Sequence, residues 1–157
     1  MSEWRGAAPA ADGTGRRIGI VAARFNGEVV DRLLDGAVRA LSERRVRRED
    51  IVVERVPGAW EIPQGLAILA ARGGLDALVA LGAVIRGETA HFEYVAGECS
   101  RGIAVVARDF RIPVTFGVLT CEDRDQAMAR AGGAAGNKGE EAAIAALEMA
   151  ELAGRHR

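Results

Sequence analysis

Residues 76–85, DALVALGAVI, form a nearly continuous apolar run in the middle of the chain. A short run without polar alternation is typical of a strand that is buried on both faces, as in a parallel sheet. The stretch that follows, residues 91–108, has the length and apolar spacing of a helix. This pair predicts one strand–helix unit of an α/β fold.

The same alternation extends to both sides of that pair. We predict further strands at residues 17–23, 50–56 and 113–119, and further helices at about 29–41, 63–72, 123–131 and 138–152. Asn26 and Asn137 are predicted as the N-caps of the first and last helices, and the Gly-rich residues 132–136 as a loop between the last two. The order predicts a flavodoxin-like, three-layer αβα sandwich with a four-stranded parallel sheet.

Composition limits the functional classes. The chain has 157 residues, with 21 basic against 22 acidic side chains and a formal net charge of −1. It therefore lacks the basic excess that is typical of nucleic-acid-binding and membrane-surface proteins. We expect a flexible N-terminal arm over residues 1–15 and a single domain over residues 16–157.

The spacing of the cysteines argues against metal binding. The cysteines and the short apolar runs together indicate where the protein is located. Cys99 and Cys121 form neither a Cys-x-x-Cys motif nor a Cys/His ligand spacing, so no metal site is predicted. No apolar run reaches the roughly 18 residues of a membrane span, and the first residues do not resemble a signal peptide. Together with the two cysteines that have no evident partner, this predicts a cytoplasmic protein.

The loop after the third predicted strand, residues 85–91, IRGETAH, has the richest chemistry. Parallel sheets bind ligands beyond the carboxyl ends of their strands, and a helix N-terminus attracts anions. Gly87 permits close approach of a phosphate and Thr89 offers it a hydroxyl. The helix dipole disfavours a charged imidazole at His91, which therefore suits proton transfer near neutral pH. The alternative is a capping loop with a half-buried histidine.

The other loops carry further candidates, each with a structural alternative. Trp60 and Glu61 lie between two prolines, where a rigid acid could accept hydrogen bonds from ligand hydroxyls; the alternative is a core Trp60 and a helix-capping Glu61. Phe25 could stack on a planar ring or staple the following helix. Arg130 could bind phosphate or complement a helix dipole, and Lys138 could be merely solvated. The residues alone predict an α/β domain that binds a small phosphorylated or planar ligand.

Six motifs taken together carry a family resemblance. They are ARFN (23–26), VPGAWEIP (56–63), GAVIRGETAHFEYV (82–95), PVTFGVLT (113–120), QAMARAG (126–132) and GNKGEEAA (136–143). In this order and spacing, about residues 15–153 resemble the lumazine synthase family of riboflavin biosynthesis. The resemblance implies condensation of 5-amino-6-(D-ribitylamino)uracil with 3,4-dihydroxy-2-butanone 4-phosphate, releasing phosphate and water, without a metal or redox cofactor.

The resemblance also implies a role for each matching residue. The pyrimidine and its ribityl chain would be bound by Phe25, Ala59, Trp60, Glu61, Ala83, Val84, Ile85 and, from a neighbouring chain, Phe116. The phosphate substrate would be bound by Gly87, Glu88, Thr89 and a neighbour's Arg130. His91 would transfer protons, with Lys138 in a supporting electrostatic role. Trp60 stands where many members carry Phe, and Ala90 where Pro or Thr is frequent.

Assembly is also part of what the resemblance implies. Active sites would lie between adjacent subunits of a homo-oligomer, and the arm would add an edge strand to a neighbour's sheet. The short segment 132–139 favours a 60-subunit shell over a pentamer or a decamer, and riboflavin synthase is a candidate cargo of such a shell.

Two rival functions share this scaffold. A non-catalytic lumazine- or flavin-binding cage protein would not need Glu61, His91 and Arg130 together. An archaeal-type riboflavin synthase, which dismutates two lumazines, would not need the phosphate-binding loop with Arg130. The combination of residues therefore favours the synthase.

Overall fold

The computed structural model describes residues 11–157 and alternates strands with helices, as predicted. The strands are β1 Ile18–Ala23, β2 Ile51–Val56, β3 Ala77–Ile85, β4 Val114–Cys121, β5 Ala131–Gly133 and β6 Gly136–Asn137. The helices are α1 Gly27–Glu43, α2 Ile62–Arg72, α3 His91–Phe110, α4 Arg124–Ala129 and α5 Lys138–Arg155. Short 3₁₀ turns, Arg48–Asp50 and Ala59–Glu61, precede β2 and α2.

The first four strands form one parallel sheet in the order β2-β1-β3-β4. The predicted four-stranded parallel sheet is therefore confirmed. Strand β3 lies between β1 and β4, with Ile18 opposite Ala77 and Leu78 opposite Val114. This central position explains its unbroken apolar sequence, because both faces of β3 are covered and residues 77–84 are all buried.

Helices cover both faces of the sheet and complete the predicted three-layer sandwich. On one face the core includes Val30, Leu33 and Leu147 from α1 and α5; on the other it includes Leu66 and Ile103 from α2 and α3. Helices α1 and α5 approach so closely that a Cβ at Gly139 would lie 2.0 Å from the carbonyl oxygen of Leu33. A larger residue at 139 would push α5 away from α1.

The segment between the last two helices differs from its prediction. Helix α4 ends at Ala129, and the Gly-rich residues that follow form the small antiparallel hairpin β5–β6 instead of an open loop. Gly132 and Gly136 adopt φ values of 100° and 84°, which are readily available to glycine. The predicted N-cap Asn137 is confirmed, since its Oδ1 accepts hydrogen bonds from the N–H groups of Gly139 and Glu140.

The start of the described chain packs on the domain. Ala11 is buried, and the N–H of Gly13 donates to the carbonyl of Arg44 at 2.7 Å. Residues 11–15, which the sequence assigned to the arm, thus contact the loop that follows α1. Residues 1–10 of the arm, and the edge strand predicted for it, lie outside the described residues. Each helix between residues 11 and 157 is too short or too polar to span a bilayer.

Candidate functional site

A pocket of about 830 Å³ lies at the carboxyl ends of β1, β2 and β3, beside the first turns of α3. Ten of the predicted site residues line it together: Phe25, Ala59, Trp60, Glu61, Ala83, Val84, Ile85, Gly87, Thr89 and His91. They come from the last residues of β3 and from three loops that are far apart in the sequence, and they meet here because parallel strands end on the same side of the sheet.

The loop after β1 presents Phe25 to the pocket. The N–H of Phe25 donates to the carbonyl of Pro57 at 3.0 Å, and that of Arg24 to the carbonyl of Val56 at 2.8 Å. These bonds join the loop after β1 to the loop after β2. The Phe25 ring is 70% exposed, so it does not staple α1 and stays open to a planar ligand.

Asn26 occupies the predicted cap position but does not cap the helix with its side chain. Its backbone is left-handed, with φ 57° and ψ 42°, and its side chain makes no capping hydrogen bond. The Nδ2 amide instead donates to the carbonyl oxygen of Ala83 at 2.8 Å. The predicted capping role is therefore wrong, because this conformation directs the amide to β3.

The loop after β2 places an aromatic ring and a carboxylate on the pocket wall. Trp60 is 51% exposed, which rules out the alternative that it is a core residue. Glu61 Oε2 accepts a hydrogen bond from the N–H of Gly58 at 3.1 Å, and the Glu61 N–H donates to the Gly58 carbonyl at 3.1 Å. One carboxylate oxygen of Glu61 therefore has the capping role that the structural alternative predicted. The other remains available to accept hydrogen bonds from a ligand.

The loop between β3 and α3 is the most open part of the pocket. The fold does not require a glycine at Gly87, since a Cβ there would meet nothing within 4 Å and its φ is not left-handed. The Thr89 hydroxyl accepts a hydrogen bond from the N–H of His91 at 3.3 Å. His91 is exposed in the first turn of α3, whereas the exposed Glu88 does not line the pocket.

Sequence reasoning did not assign a role to Arg86 in this loop. Its Nε lies 2.8 Å from Glu122, its Nη1 lies 3.5 Å from Glu93, and its guanidinium lies 4.6 Å from the centroid of the Phe92 ring. The hydrogen bond and charge of Glu122, with a smaller contribution from Glu93, raise the pKa of Arg86. Arg86 is thus held by carboxylates of its own chain.

Six further lining residues were missed as site residues: Asn26, Pro57, Gly58, Phe92, Tyr94 and Val95. A signal for two of them was present in the sequence. Tyr94 and Val95 follow His91 at helical spacings of three and four residues, which place side chains on one face. Tyr94 is 71% exposed and adds a second large ring beside the imidazole.

Phe116, Arg130 and Lys138 do not line this pocket. Phe116 is 48% exposed and lines a separate depression between α3 and β4. The β5–β6 hairpin brings the two cations close in the chain, because the Lys138 N–H donates to the Arg130 carbonyl at 2.9 Å. Arg130 also donates to the carbonyl of Gln126 at 3.1 Å, as its helix-dipole alternative predicts, and Lys138 Nζ lies 3.2 Å from Glu141.

The predicted site residues thus form two groups in one chain. The pocket group offers an imidazole, a carboxylate, exposed aromatic rings and a helix N-terminus, which together suit acid–base chemistry on a planar ligand with an anionic substituent. The second group, Phe116, Arg130 and Lys138, lies on the side of β4.

The cysteines do not suit a role as nucleophiles. Both are free and buried. Burial raises the pKa of the Cys99 thiol to about 11. Burial also raises the pKa of Cys121, against the opposing charge of Arg130. Both thiols therefore stay protonated at neutral pH. Over residues 11–157, no three Asp, Glu, His or Cys side chains come together as metal ligands.

Comparison with known proteins identifies the family to which the chain belongs. The family model described as 6,7-dimethyl-8-ribityllumazine synthase matches residues 15–154. A curated protein named 6,7-dimethyl-8-ribityllumazine synthase, from Aquifex aeolicus (strain VF5), is 50% identical over 138 residues, which cover 88% of this chain and 90% of that protein. The chain therefore belongs to the 6,7-dimethyl-8-ribityllumazine synthase family.

Proposed function

We propose that the pocket at the carboxyl ends of β1, β2 and β3 is the active site of a 6,7-dimethyl-8-ribityllumazine synthase. It condenses 5-amino-6-(D-ribitylamino)uracil with 3,4-dihydroxy-2-butanone 4-phosphate. One observation carries the proposal: in a chain of this family, Phe25, Glu61 and His91 line one pocket.

The pyrimidine substrate occupies the part of the pocket near β1 and β2. Its ring stacks on the exposed Phe25, and its ribityl hydroxyls donate to the free oxygen of Glu61 beside Ala59 and Trp60. Strand β1 pairs with β3 only as far as Leu81, so the backbone of residues 83–85 has no β1 partner along this edge. The backbone groups of this segment that neither β4 nor the Asn26 amide engages are therefore positioned to hydrogen-bond the pyrimidine edge.

The phosphate substrate occupies the N-terminal end of α3. Gly87, Glu88 and Thr89 supply backbone N–H groups there, and the helix dipole stabilises the negative charge. Arg86 is occupied by Glu93 and Glu122, so the additional cation comes from elsewhere. We assign this role to Arg130 of an adjacent subunit, supported electrostatically by Lys138.

His91 moves protons between the two bound substrates. The amine condenses with the ketone, phosphate is eliminated, the chain cyclises and water leaves, so each stage requires a proton acceptor or donor near the reacting atoms. An imidazole alternates between these roles near neutral pH. Because the amine and the ketone are already reactive, holding them together supplies much of the remaining acceleration.

The family implies a homo-oligomer, and the separation of the two groups of site residues supports active sites that are shared between subunits. Phe116 and Arg130 of one chain complete the pocket of the next. We favour the 60-subunit shell because the β5–β6 connection is short and compact, with the Ala135 N–H donating to Ala129 at 2.9 Å. Riboflavin synthase as cargo stays a prediction. The free thiols of Cys99 and Cys121 support the predicted cytoplasmic location.

The decisive experiment mixes the purified protein with both substrates and follows the absorbance and fluorescence of the lumazine product. Product formation well above the spontaneous rate is expected, and none above it would overturn the proposal. A cage protein would bind lumazine without turnover, and a riboflavin synthase would consume lumazine instead of forming it. Light scattering after size exclusion separates a shell from a pentamer of the 16.6 kDa chain.

A further inference from the structure

The side chain of Asn26 continues the pairing of β1 with β3 beyond the end of the strand ladder. The backbone pairing of these strands stops at Ala22 opposite Leu81. Two residues further along β3, the Asn26 Nδ2 donates to the carbonyl oxygen of Ala83 at 2.8 Å, in a half-buried position. A side-chain amide thus supplies one bond to β3 after β1 has ended.

The same residue turns the chain from the strand into α1. Asn26 has a left-handed backbone, which asparagine tolerates better than most residues. Its carbonyl accepts from the N–H groups of Val29 and Val30, each at 3.1 Å. The backbone of Asn26 is therefore held by the helix while its side chain is held by β3.

Phe25 precedes this fixed point directly. Its ring is 70% exposed, so packing within the described chain does little to set its position. Hydrogen bonds hold the segment instead, among them the bond from the Phe25 N–H to the Pro57 carbonyl at 3.0 Å and the bond from the Asn26 amide to Ala83. The second bond sets the distance between the Phe25 ring and the backbone of residues 83–85.

We propose that Asn26 is a positioning residue for the pyrimidine substrate, which it aligns by tying Phe25 to the strand-end backbone at Ala83. The inference rests on the proposed function of the pocket. Asn26 acts through the two walls between which the pyrimidine binds, and the phosphate-binding loop at α3 does not depend on it. The consequence is a selective effect on one of the two substrates.

Two substitutions separate the amide from the backbone conformation. Asn26→Gly keeps access to positive φ and removes the bond to Ala83. The loss of one such bond predicts a roughly threefold to tenfold weaker affinity for the pyrimidine. The KM of the butanone phosphate and kcat should each change by less than about twofold.

Asn26→Asp adds a signature that depends on pH. At neutral pH its carboxylate faces the Ala83 carbonyl and repels it, so pyrimidine binding should be weaker than in Asn26→Gly. As the pH falls, the carboxyl takes up a proton and can donate to Ala83, so the affinity should recover relative to the wild type at the same pH. Calorimetric titration with the pyrimidine alone between about pH 7 and pH 5 measures this recovery.

Thr115→Val is the matched control. The Thr115 hydroxyl donates to the Ala142 carbonyl at 2.8 Å, also half-buried, and joins β4 to α5 away from Phe25. The Thr115→Val substitution should lower thermal stability about as much as Asn26→Gly and leave both substrate affinities unchanged. Unchanged pyrimidine affinity in Asn26→Gly, or an equal loss for both substrates, would overturn the positioning role. A wild-type protein that binds the pyrimidine without turnover would overturn the proposed function alone, and one that does not bind it would overturn both.

Discussion

The two ends of the sheet handle their polar and aromatic side chains in opposite ways. At the amino end, Asp76 accepts the N–H of Arg17 at 2.8 Å and lies 3.8 Å from Arg16 and 3.9 Å from Arg157. Asp50 nearby lies 2.8 Å from Arg47 and 3.7 Å from Arg17. The charges at this end therefore satisfy one another within the chain.

At the carboxyl end Arg86 is paired with Glu93 and Glu122, but aromatic rings and an imidazole stay exposed. Phe25, Trp60 and Tyr94 line one pocket and are each at least half exposed, although large rings are usually buried when they serve the fold alone. His91 is exposed beside them. A parallel sheet can keep stabilising charges and ligand-binding groups at opposite ends, because all its strands end on one side. One end can stabilise the chain while the other is adapted to a ligand.

Substitution of His91 should have the largest effect on catalysis, and it tests whether the carboxyl end of the sheet serves the ligand and not the stability of the fold. In His91→Ala we expect kcat to fall on the order of 10²–10⁴ while the melting temperature stays unchanged, because an exposed imidazole contributes little to folding. Steady-state kinetics and a thermal melt measure both quantities. His156→Ala, which removes the exposed histidine near the C-terminus, is the matched control and should behave as the wild type. Unchanged turnover in His91→Ala would remove the proton-transfer role.

Arg130→Ala should affect one substrate. Loss of a charged hydrogen bond to phosphate predicts a rise of roughly 10- to 100-fold in the KM of the butanone phosphate, with little change for the pyrimidine. Arg124→Ala removes a cation from α4, the helix that ends just before Arg130; the Arg124 side chain pairs with Glu28, and this variant is the control. An equal rise in both variants would indicate a general effect of charge.

Mixing these two impaired chains, and assaying them at a low concentration of the butanone phosphate, tests whether sites are shared. The His91→Ala and Arg130→Ala chains are unfolded, mixed and reassembled. A shared site regains both residues where the pocket of an Arg130→Ala chain, which keeps His91, adjoins a His91→Ala chain, which keeps Arg130. Random assembly predicts recovery of roughly a quarter of wild-type activity. If each site is formed within one chain, the activity of the mixture does not exceed the mean of the two variants.

The sequence predicted most of the fold for local reasons. Strand β3 was recognisable because a central strand is apolar throughout, and Asn137 because a helix cap depends on its immediate neighbours. The β5–β6 hairpin was missed because it has only a few residues and no hydrophobic period. It depends on Gly132 and Gly136 at positive φ.

The loops that form the candidate site could be predicted from the sequence. The hydrogen bonds between distant residues of the site were harder to predict. The positions of Glu61 and His91 after strands marked them, since such loops converge at one edge. The bond from Asn26 to Ala83 spans 57 residues, and that from Arg86 to Glu122 spans 36. Pairings at such separation depend on strand order and register, which a single sequence does not reveal residue by residue.

A substitution at the amino end of the sheet is expected to change catalysis least. Asp76→Ala removes a bond to the Arg17 N–H and two ion pairs, so we expect a stability loss of about 1–2 kcal/mol. Both KM values and kcat should stay within about twofold of the wild type, because the proposed active-site pocket lies at the opposite end of the sheet. Urea denaturation and steady-state kinetics measure the two effects.

Asp76→Asn separates the hydrogen bond from the ion pairs. Its amide oxygen can still accept from the Arg17 N–H, so the remaining loss should reflect the charges and should shrink as salt is added. Asp109→Asn, which breaks an exposed ion pair with Arg108 at 3.5 Å, should cost almost nothing. A large kinetic effect in Asp76→Ala without a stability loss would contradict the division of roles, because it would couple the amino end of the sheet directly to the ligand.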